Sequence, residues 1–288
     1  MNNRVVKNLS GHSGCIVNLV EENGLIFVSK LSSDMDYNFR LKKQSKKQNN
    51  FVSHSNVYTP KIFRQGFNHD GLYYFDMEFI QGKTLAEYTN SITIIEISDF
   101  IKCLFRSLYW EEERIDPKTN QIFQNKINSL KKKCSSYQNL DKAFNILENF
   151  DWSRVYKSAC HGDLTLENIL ITKDRKLYLI DFLDSFYNSW QIDIAKLLQD
   201  VELKWSFRNE EISPNRALRL EVVKEALIEE ILKVKNGAEK LDTIYHLLLL
   251  NIIRIYPYTK DYATFLYLNN AIKILIGKFI KEEMEVIK

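Results

Sequence analysis

The first eighty residues of the chain alternate short apolar runs with polar turns, a pattern typical of antiparallel strands. The pattern predicts strands over residues 5–9, 15–20, 25–31, 62–66 and 72–79. Residues 36–50, between the third and fourth of these runs, are mostly polar and compatible with a helix. We therefore expect the first part of the chain to fold into a small sheet that carries one helix.

The chain turns helical from residue 92 onward, where apolar residues recur every three or four positions. Helices are predicted over residues 97–108, in one or two pieces within 121–150, and over 215–235, 239–255 and 261–285. Within the helix over 239–255, residues 241–255 are apolar nearly all round, so we expect this helix at the centre of the helical part. Its polar residues His246, Asn251 and Arg254 then need partners. Each of these residues either forms an internal hydrogen bond or lies at the surface, or else it contacts an anionic or hydroxylated substrate.

The stretch from His161 to Asp181 interrupts the helical part with polar residues and two short apolar runs. Apolar runs over 169–171 and 177–180 predict a hairpin, which brings Asn168 and Asp181 to the same end of a small ribbon. Mg²⁺-assisted phosphoryl transfer needs a carboxylate that accepts the acceptor's hydroxyl proton, and an amide and a second carboxylate that bind the metal. Asp163, Asn168 and Asp181 have the spacing for these three tasks. An ordinary polar loop between two strands is the alternative.

The motif His161-Gly162-Asp163 with Asn168, followed by Ile180-Asp181-Phe182, resembles that of the aminoglycoside phosphotransferase and choline kinase family. Members of this family share the protein-kinase-like fold. Eukaryotic protein kinases are less similar, because they carry a lysine where Thr165 stands and a glycine where Leu183 follows the Phe.

The resemblance implies a two-lobed α+β protein-kinase-like fold. We expect a small antiparallel-sheet N-lobe over residues 1–80, which binds the nucleotide. A large, mainly helical C-lobe over 81–288 should carry the catalytic loop and the acceptor site. The implied cofactors are ATP and Mg²⁺.

The resemblance also places ATP-binding residues in the predicted sheet. The turn with Gly11 and Gly14 would cover the phosphates, since backbone N–H groups can cradle phosphate, and Lys30 would contact them from the third strand. A plain hairpin turn and a surface lysine are the alternatives. No acidic residue stands between Tyr37 and Phe51. The partner of Lys30 is therefore expected to be Gln44 or Gln48, or a carboxylate from elsewhere.

The stretch from Met77 to Leu85 resembles the hinge between the lobes of this family. The C=O of Glu78 and the N–H of Ile80 are the expected partners of the adenine ring, beside Met77. A simple link from a strand to a helix capped by Thr84 is a compatible interpretation.

Further residues are expected to support the site or to bind the acceptor. The resemblance assigns His161 and Asp193 to structural support of the catalytic loop. Asp184, Tyr187, Trp205 and Arg254 are candidates for the acceptor site. For Asp184 an exposed turn, and for the aromatic residues the hydrophobic core, are the alternative positions.

Composition limits the function classes. The chain has 288 residues, 45% of them apolar, and a net charge of only +3 with acidic and basic residues interspersed. A nucleic-acid binder would concentrate basic charge on one face, so we expect no nucleic-acid partner. The basic runs 40–47 and 131–133 are both interpreted as solvated helix faces. The four separated cysteines fit a reducing cytoplasm, and no apolar run is long enough for membrane insertion. The oligomeric state stays open.

The expected function is ATP-dependent phosphorylation of a small-molecule hydroxyl. Residues 201–288 carry 13 Asp/Glu and 14 Lys/Arg, a balance that argues against a polycationic aminoglycoside and favours a neutral or anionic sugar or sugar derivative. A choline or ethanolamine kinase with an aromatic cage, an aminoglycoside kinase, and a catalytically inactive pseudokinase-like module remain the alternatives.

Overall fold

The computed structural model describes residues 4–9, 15–52, 56–108 and 114–286. The strands are β1 (Arg4–Asn8), β2 (Cys15–Glu22), β3 (Leu25–Ser32), β4 (Val57–Tyr58), β5 (Ile62–Phe67), β6 (Tyr73–Glu78), β7 (Gly82–Thr84), β8 (Ile169–Thr172) and β9 (Leu177–Leu179). The helices are α1 (Met35–Asn49), α2 (Leu85–Tyr88), α3 (Ile94–Leu108), α4 (Thr119–Lys133), α5 (Asp141–Asn149), α6 (Trp190–Val201), α7 (Pro214–Lys233), α8 (Gly237–Ile253) and α9 (Tyr262–Val286).

These elements form two compact units. The first contains residues 1–88 and 161–186, and the second contains 89–160 and 187–288. The predicted catalytic loop, residues 161–170, and the hairpin that it enters therefore pack with the first eighty-eight residues. The boundary expected at residues 80 and 81 stays a prediction about lobes, whereas the α+β fold, with a sheet in the N-terminal part and helices in the C-terminal part, is confirmed.

The first unit is built on a five-stranded antiparallel sheet with the strand order β1-β2-β3-β6-β5. Alternate residues of β6 and β3 point to one face, where Val28, Phe75 and Met77 form a core with Leu41 of α1. Burial of such large apolar side chains stabilises the sheet by about 1.5–3 kcal/mol each. In this register Lys30 lies opposite Phe75, in the middle of the sheet.

Helix α1 starts where the sequence gives it a cap. The carboxylate of Asp34 accepts a hydrogen bond from the N–H of Tyr37, at 2.8 Å, and satisfies one of the free donors of the first turn. Leu41, Gln44 and Gln48 form its buried stripe. The lysines of its last two turns are exposed, as expected for a solvated face, except Lys47, which is partly buried.

A second, four-stranded sheet in the first unit holds the predicted hairpin. Its order is β4-β9-β8-β7, with β4 parallel to β9 and the other pairs antiparallel. Ile169 pairs with Leu179 and both are fully buried, which fixes the register of the hairpin. Asn168 precedes β8, and Ile180 follows β9. The Ile180 N–H donates to the Asn168 C=O at 3.0 Å, so Asp181, the next residue, lies close to Asn168.

The second unit is helical. Helix α8 is its buried centre, as its apolar composition predicts: Leu247 to Leu250 are at most 1% exposed. Helices α5, α6, α7 and α9 pack around it, and α3 packs on α7. Within the described part of the chain no helix is both long and apolar enough to cross a membrane.

Candidate active site

The centre of the candidate site is an ion pair between β3 and the end of the hairpin. The ammonium Nζ of Lys30 lies 2.6 Å from Oδ1 of Asp181, and the two residues are 151 positions apart in sequence. The Lys30 side chain is 5% exposed and that of Asp181 is 32% exposed. The sheet and the catalytic hairpin thus meet at two of the residues that the sequence predicted for the site.

Asp181 is the partner of Lys30, and α1 offers no carboxylate after its first turn. Gln44 donates to the Tyr37 hydroxyl at 3.1 Å, and Gln48 donates to the Pro60 carbonyl at 2.7 Å. Neither amide forms a hydrogen bond with Lys30 in the described part of the structure. The lysine instead pairs with a carboxylate from elsewhere, and that carboxylate is the proposed metal ligand.

The charge state of Asp181 follows from this contact. Burial by itself raises the pKa of the carboxyl, but the charge and hydrogen bond of the Lys30 ammonium outweigh it and hold the pKa below its ordinary value. Asp181 is therefore ionised at neutral pH, as a metal ligand must be. Its backbone is left-handed, with φ 61°, which is unusual for a residue other than glycine.

Gly162 allows the catalytic loop to approach the chain just after Asp181. Its φ of 97° is one that side chains rarely adopt, and a Cβ at this position would lie 2.4 Å from the carbonyl oxygen of Leu183. The Leu183 N–H also donates to the carbonyl of His161, at 3.1 Å. Only glycine meets both demands, so its position between the His and Asp of the motif has a steric reason.

His161 supports the loop as a neutral imidazole. It is fully buried, and burial lowers its pKa to about 4, although the Ile180 carbonyl and the nearby carboxylates act in the opposite direction. Its Nε2 lies 2.8 Å from the carbonyl oxygen of Ile180, and its Nδ1 lies 3.3 Å from the backbone nitrogen of Asp163. Since the carbonyl needs a donor and the N–H an acceptor, the proton must be on Nε2. The ring therefore joins the catalytic loop to the residue before Asp181.

Asn168 is fixed in an orientation that suits a metal ligand. Its Nδ2 donates to the backbone carbonyl of Asp163, at 2.8 Å, so its Oδ1 is the end of the amide left for a cation. The Asn168 and Asp181 side chains line the same pocket. An amide oxygen and an ionised carboxylate are oxygen ligands of the kind that Mg²⁺ prefers, with water and phosphate completing the shell. The residues present therefore fit this metal.

The pocket has a volume of about 220 Å³ and lies within the first unit. Its apolar wall includes Val17, Val28 and Leu170, and Lys30 and Asp181 are among its few polar residues. An apolar slot with convergent charges suits a flat ring that carries an anionic chain. Residues of the predicted hinge line it as well: Met77, Glu78, Phe79 and Ile80. The link that follows ends in Thr84, which exchanges hydrogen bonds with Glu87 of α2 at 2.9 and 3.1 Å, a capping box.

Two lysines of α1 also contact the segment after Asp181, and sequence analysis missed them. Lys47 donates to the Leu183 carbonyl at 2.8 Å and to the Ser185 hydroxyl at 3.2 Å. Lys43 lies 3.3 Å from the carboxylate of Asp184, whose side chain is 33% exposed, and the role of Asp184 at the acceptor site stays a prediction. The signal was present as the basic run of α1. It was interpreted as a solvated face, which holds for most of the run but not for Lys47.

The other predicted residues lie elsewhere. Gly11 and Gly14 fall outside the described residues. Asp193, in the first turn of α6, is fully buried in the second unit, and its supporting role stays a prediction. Tyr187 is buried and its hydroxyl is 2.8 Å from that of Thr119, a position that favours the core. Trp205 is partly exposed, and the guanidinium of Arg208 lies 4.1 Å from its ring centroid.

Comparisons with known proteins show the family and the fold of the chain. The model of the choline/ethanolamine kinase family matches residues 76–258. No curated protein sequence matches the chain. Among solved structures, aminoglycoside phosphotransferase APH(4)-Ia is similar with a TM-score of 0.64 at 12% identity, over 96% of this chain and 94% of that chain.

Two liganded structures are similar to the same degree. A thermostable mutant of APH(4)-Ia in a ternary complex with AMP-PNP and hygromycin B gives a TM-score of 0.64 at 11% identity, over 94% of this chain and 92% of that chain. A mutant of aminoglycoside 2'-phosphotransferase IIIa in complex with GDP gives 0.64 at 14% identity, over 96% and 93%. At these identities the likeness establishes the fold.

Proposed function

Because the chain belongs to the choline/ethanolamine kinase family, we propose that it is an Mg-ATP-dependent phosphotransferase whose acceptor is an alcohol group of a sugar or sugar derivative. The observation that carries this proposal is the Lys30–Asp181 ion pair at one pocket with Asn168. A chain that had lost its activity would have no need to keep Lys30, Asn168 and Asp181 at one pocket, with Asp163 in the loop before Asn168. This argues against the pseudokinase-like alternative.

Each side chain has a distinct task in the proposed reaction. Asp163 accepts the proton of the acceptor hydroxyl as it attacks the terminal phosphate. Asn168 Oδ1 and the Asp181 carboxylate would hold Mg²⁺, which supplies neutralisation of the phosphate charge when bound. The Lys30 ammonium binds the phosphates and stabilises the charge that develops on them. The His161 ring orients Asp163 by accepting a hydrogen bond from the backbone N–H of Asp163.

The acceptor is proposed from charge. A site for a polycation should be rich in carboxylates, and the helical part of the chain is not. The family match favours choline or ethanolamine as the second candidate. An aromatic cage for choline would need an open ring face. The Trp205 ring, one predicted acceptor residue, already has the Arg208 guanidinium beside it, which supports the sugar over the amino alcohol.

Two matched Asp→Asn substitutions and one substitution of Lys30 test the reaction. Asp163→Asn and Asp181→Asn should both abolish phosphoryl transfer, but only Asp181→Asn should strongly weaken the binding of Mg-nucleotide in calorimetry. Lys30→Ala should lower turnover by roughly 10²-fold, because it removes charge stabilisation at the phosphates. If the wild-type protein binds neither Mg-ATP nor Mg-GTP, the enzyme proposal fails. If Lys30→Ala keeps its turnover, the role given to Lys30 is wrong.

A substrate screen tests the acceptor. Nucleotide consumption should be measured with three panels: free sugars and their simple derivatives, amino alcohols including choline and ethanolamine, and aminoglycosides. We expect turnover in the first panel and none in the third. Turnover of choline alone would replace the sugar by the second candidate. Efficient turnover of an aminoglycoside would refute the charge argument.

A further inference from the structure

A second pocket, within the helical unit, has a strongly basic lining. It has a volume of about 200 Å³ and lies between α4, α6 and the end of α8. Lys126 and Lys133 of α4, Lys196 of α6, and Arg254 just after α8 all line it. None of the described residues that line it is acidic. Four cationic side chains from three parts of the chain therefore converge on one small space.

The basic groups are close enough to affect one another. Burial lowers the pKa of Lys126, and the positive charges of Arg254 and Lys133 lower it further. Such mutual repulsion costs free energy in the folded protein. A bound anion between the cations would offset the cost.

The same pocket has a buried hydrogen-bond donor with no partner. Asn251 of α8 is 3% exposed and lines the pocket. Its Oδ1 accepts from Nη1 of Arg254, at 3.2 Å, whereas its Nδ2 has no hydrogen-bond partner among the described residues. Buried amide donors are nearly always satisfied, so an orphan of this kind indicates an absent ligand or water. Beside four cations, an acceptor that is itself an anion satisfies both the donor and the charges.

We propose that this pocket binds the phosphate group of a small phosphorylated molecule. The guanidinium of Arg254 can donate two parallel hydrogen bonds to such a group, the lysines supply compact charge, and the Asn251 amide adds a directed donor. A phosphate dianion matches several cations at once, which a single carboxylate does not. The proposal needs neither the nucleotide pocket nor the phosphotransferase reaction, and the binding test below contains no nucleotide.

Calorimetry with inorganic phosphate in a low-salt, phosphate-free buffer tests the binding. We expect saturable binding of one phosphate per chain, weakened about tenfold or more by the double variant Lys126→Gln/Arg254→Gln. The control Lys132→Gln/Lys142→Gln removes the same two charges from exposed positions of α4 and α5 and should leave the affinity unchanged. Absence of saturable binding up to about 10 mM phosphate, or equal weakening by the control, would overturn the proposal.

A third variant separates binding from folding. Asn251→Asp keeps an oxygen that can accept from Arg254 and replaces the unpartnered donor with an acceptor of the same size, so the fold should be kept. Its phosphate affinity should nevertheless fall several-fold. A phosphate affinity equal to that of the wild type would refute the role of the amide. Thermal unfolding of each variant without phosphate checks that loss of binding is not loss of fold.

The phosphate could belong to the acceptor or to a separate effector, and kinetics with inorganic phosphate distinguish the two. Competition with the acceptor would assign the pocket to a phosphorylated acceptor. A change in turnover without competition would assign it to an effector. Either result requires phosphate to bind here, and in both cases Lys126→Gln/Arg254→Gln should abolish the effect. An effect that persists in this variant would contradict the site.

Discussion

The Lys30–Asp181 pair should behave as one energetic unit, and its two ends should not be equivalent. Nζ and Oδ1 are 2.6 Å apart, but the Lys30 side chain is 5% exposed whereas that of Asp181 is 32% exposed. Each substitution leaves the opposite charge without its partner. Asp181→Asn leaves an almost fully buried ammonium, and Lys30→Met leaves a carboxylate that water still reaches.

The asymmetry sets the expected magnitudes. Removing one partner of a buried pair costs about 3–5 kcal/mol. Because the pair is partly hydrated, we expect about 3 kcal/mol for Asp181→Asn and about 2 kcal/mol for Lys30→Met. The double variant removes the same interaction only once, so its cost should be smaller than the sum of the two by about 1–3 kcal/mol.

Urea unfolding of the four proteins, monitored by circular dichroism, measures these differences, provided that the m-value is unchanged. The coupling should also depend on pH. Because the pKa of Asp181 is held below its ordinary value, the stabilisation is complete above about pH 4 and is lost as the pH falls through the folded-state pKa. Additive costs within about 0.5 kcal/mol, or a larger cost for Lys30→Met than for Asp181→Asn, would refute the reasoning.

Three further predictions concern the catalytic loop and α1. Gly162→Ala places a Cβ 2.4 Å from the Leu183 carbonyl oxygen and should cost about 3 kcal/mol or more in urea unfolding; a cost below 1 kcal/mol would mean that the loop can move away. His161 has its pKa lowered from 6.5 to about 4, so the wild type should lose up to about 3 kcal/mol of stability as the pH falls from 6.5 to 4, a slope that His161→Gln should lack. Lys47→Met should cost about 1 kcal/mol, and the exposed control Lys46→Met less than 0.5 kcal/mol; equal costs would contradict the contact with Leu183.

The sequence was most informative where one local pattern determined the structure. The apolar runs on both sides of the turn after Thr172 predicted β8 and β9, because a buried hairpin has only one register that keeps its apolar residues inside. The same reasoning placed Asn168 beside Asp181. The mainly apolar composition of residues 241–255 predicted the buried α8, since no other position would hide nearly every face of such a helix.

Long-range contacts were beyond local patterns. The Lys30–Asp181 contact joins residues 151 positions apart, and no spacing rule specifies which of many carboxylates a lysine meets. The basic pocket of the second unit also depends on contacts between residues that are far apart in sequence. Lys126, Lys196 and Arg254 stand on separate elements. The two lysines by themselves have the signature of solvated charges, and the sequence predicts Arg254 as a polar group on a buried helix without specifying its neighbours. Only the packing of α4, α6 and α8 shows that they converge.

The missing acid of α1 has a consequence for nucleotide binding under the proposed function. Residues 38–50 contain basic and neutral polar side chains and no carboxylate, and the buried Gln44 offers only a neutral oxygen, which has no hydrogen-bond partner among the described residues. The Lys30 ammonium is therefore held by Asp181. Asp181 would hold the metal in that reaction, and Lys30 would then exchange the carboxylate for a phosphate oxygen. Binding of the nucleotide thus replaces an existing ion pair, and the strength of that pair sets a free-energy cost that nucleotide and metal must overcome together.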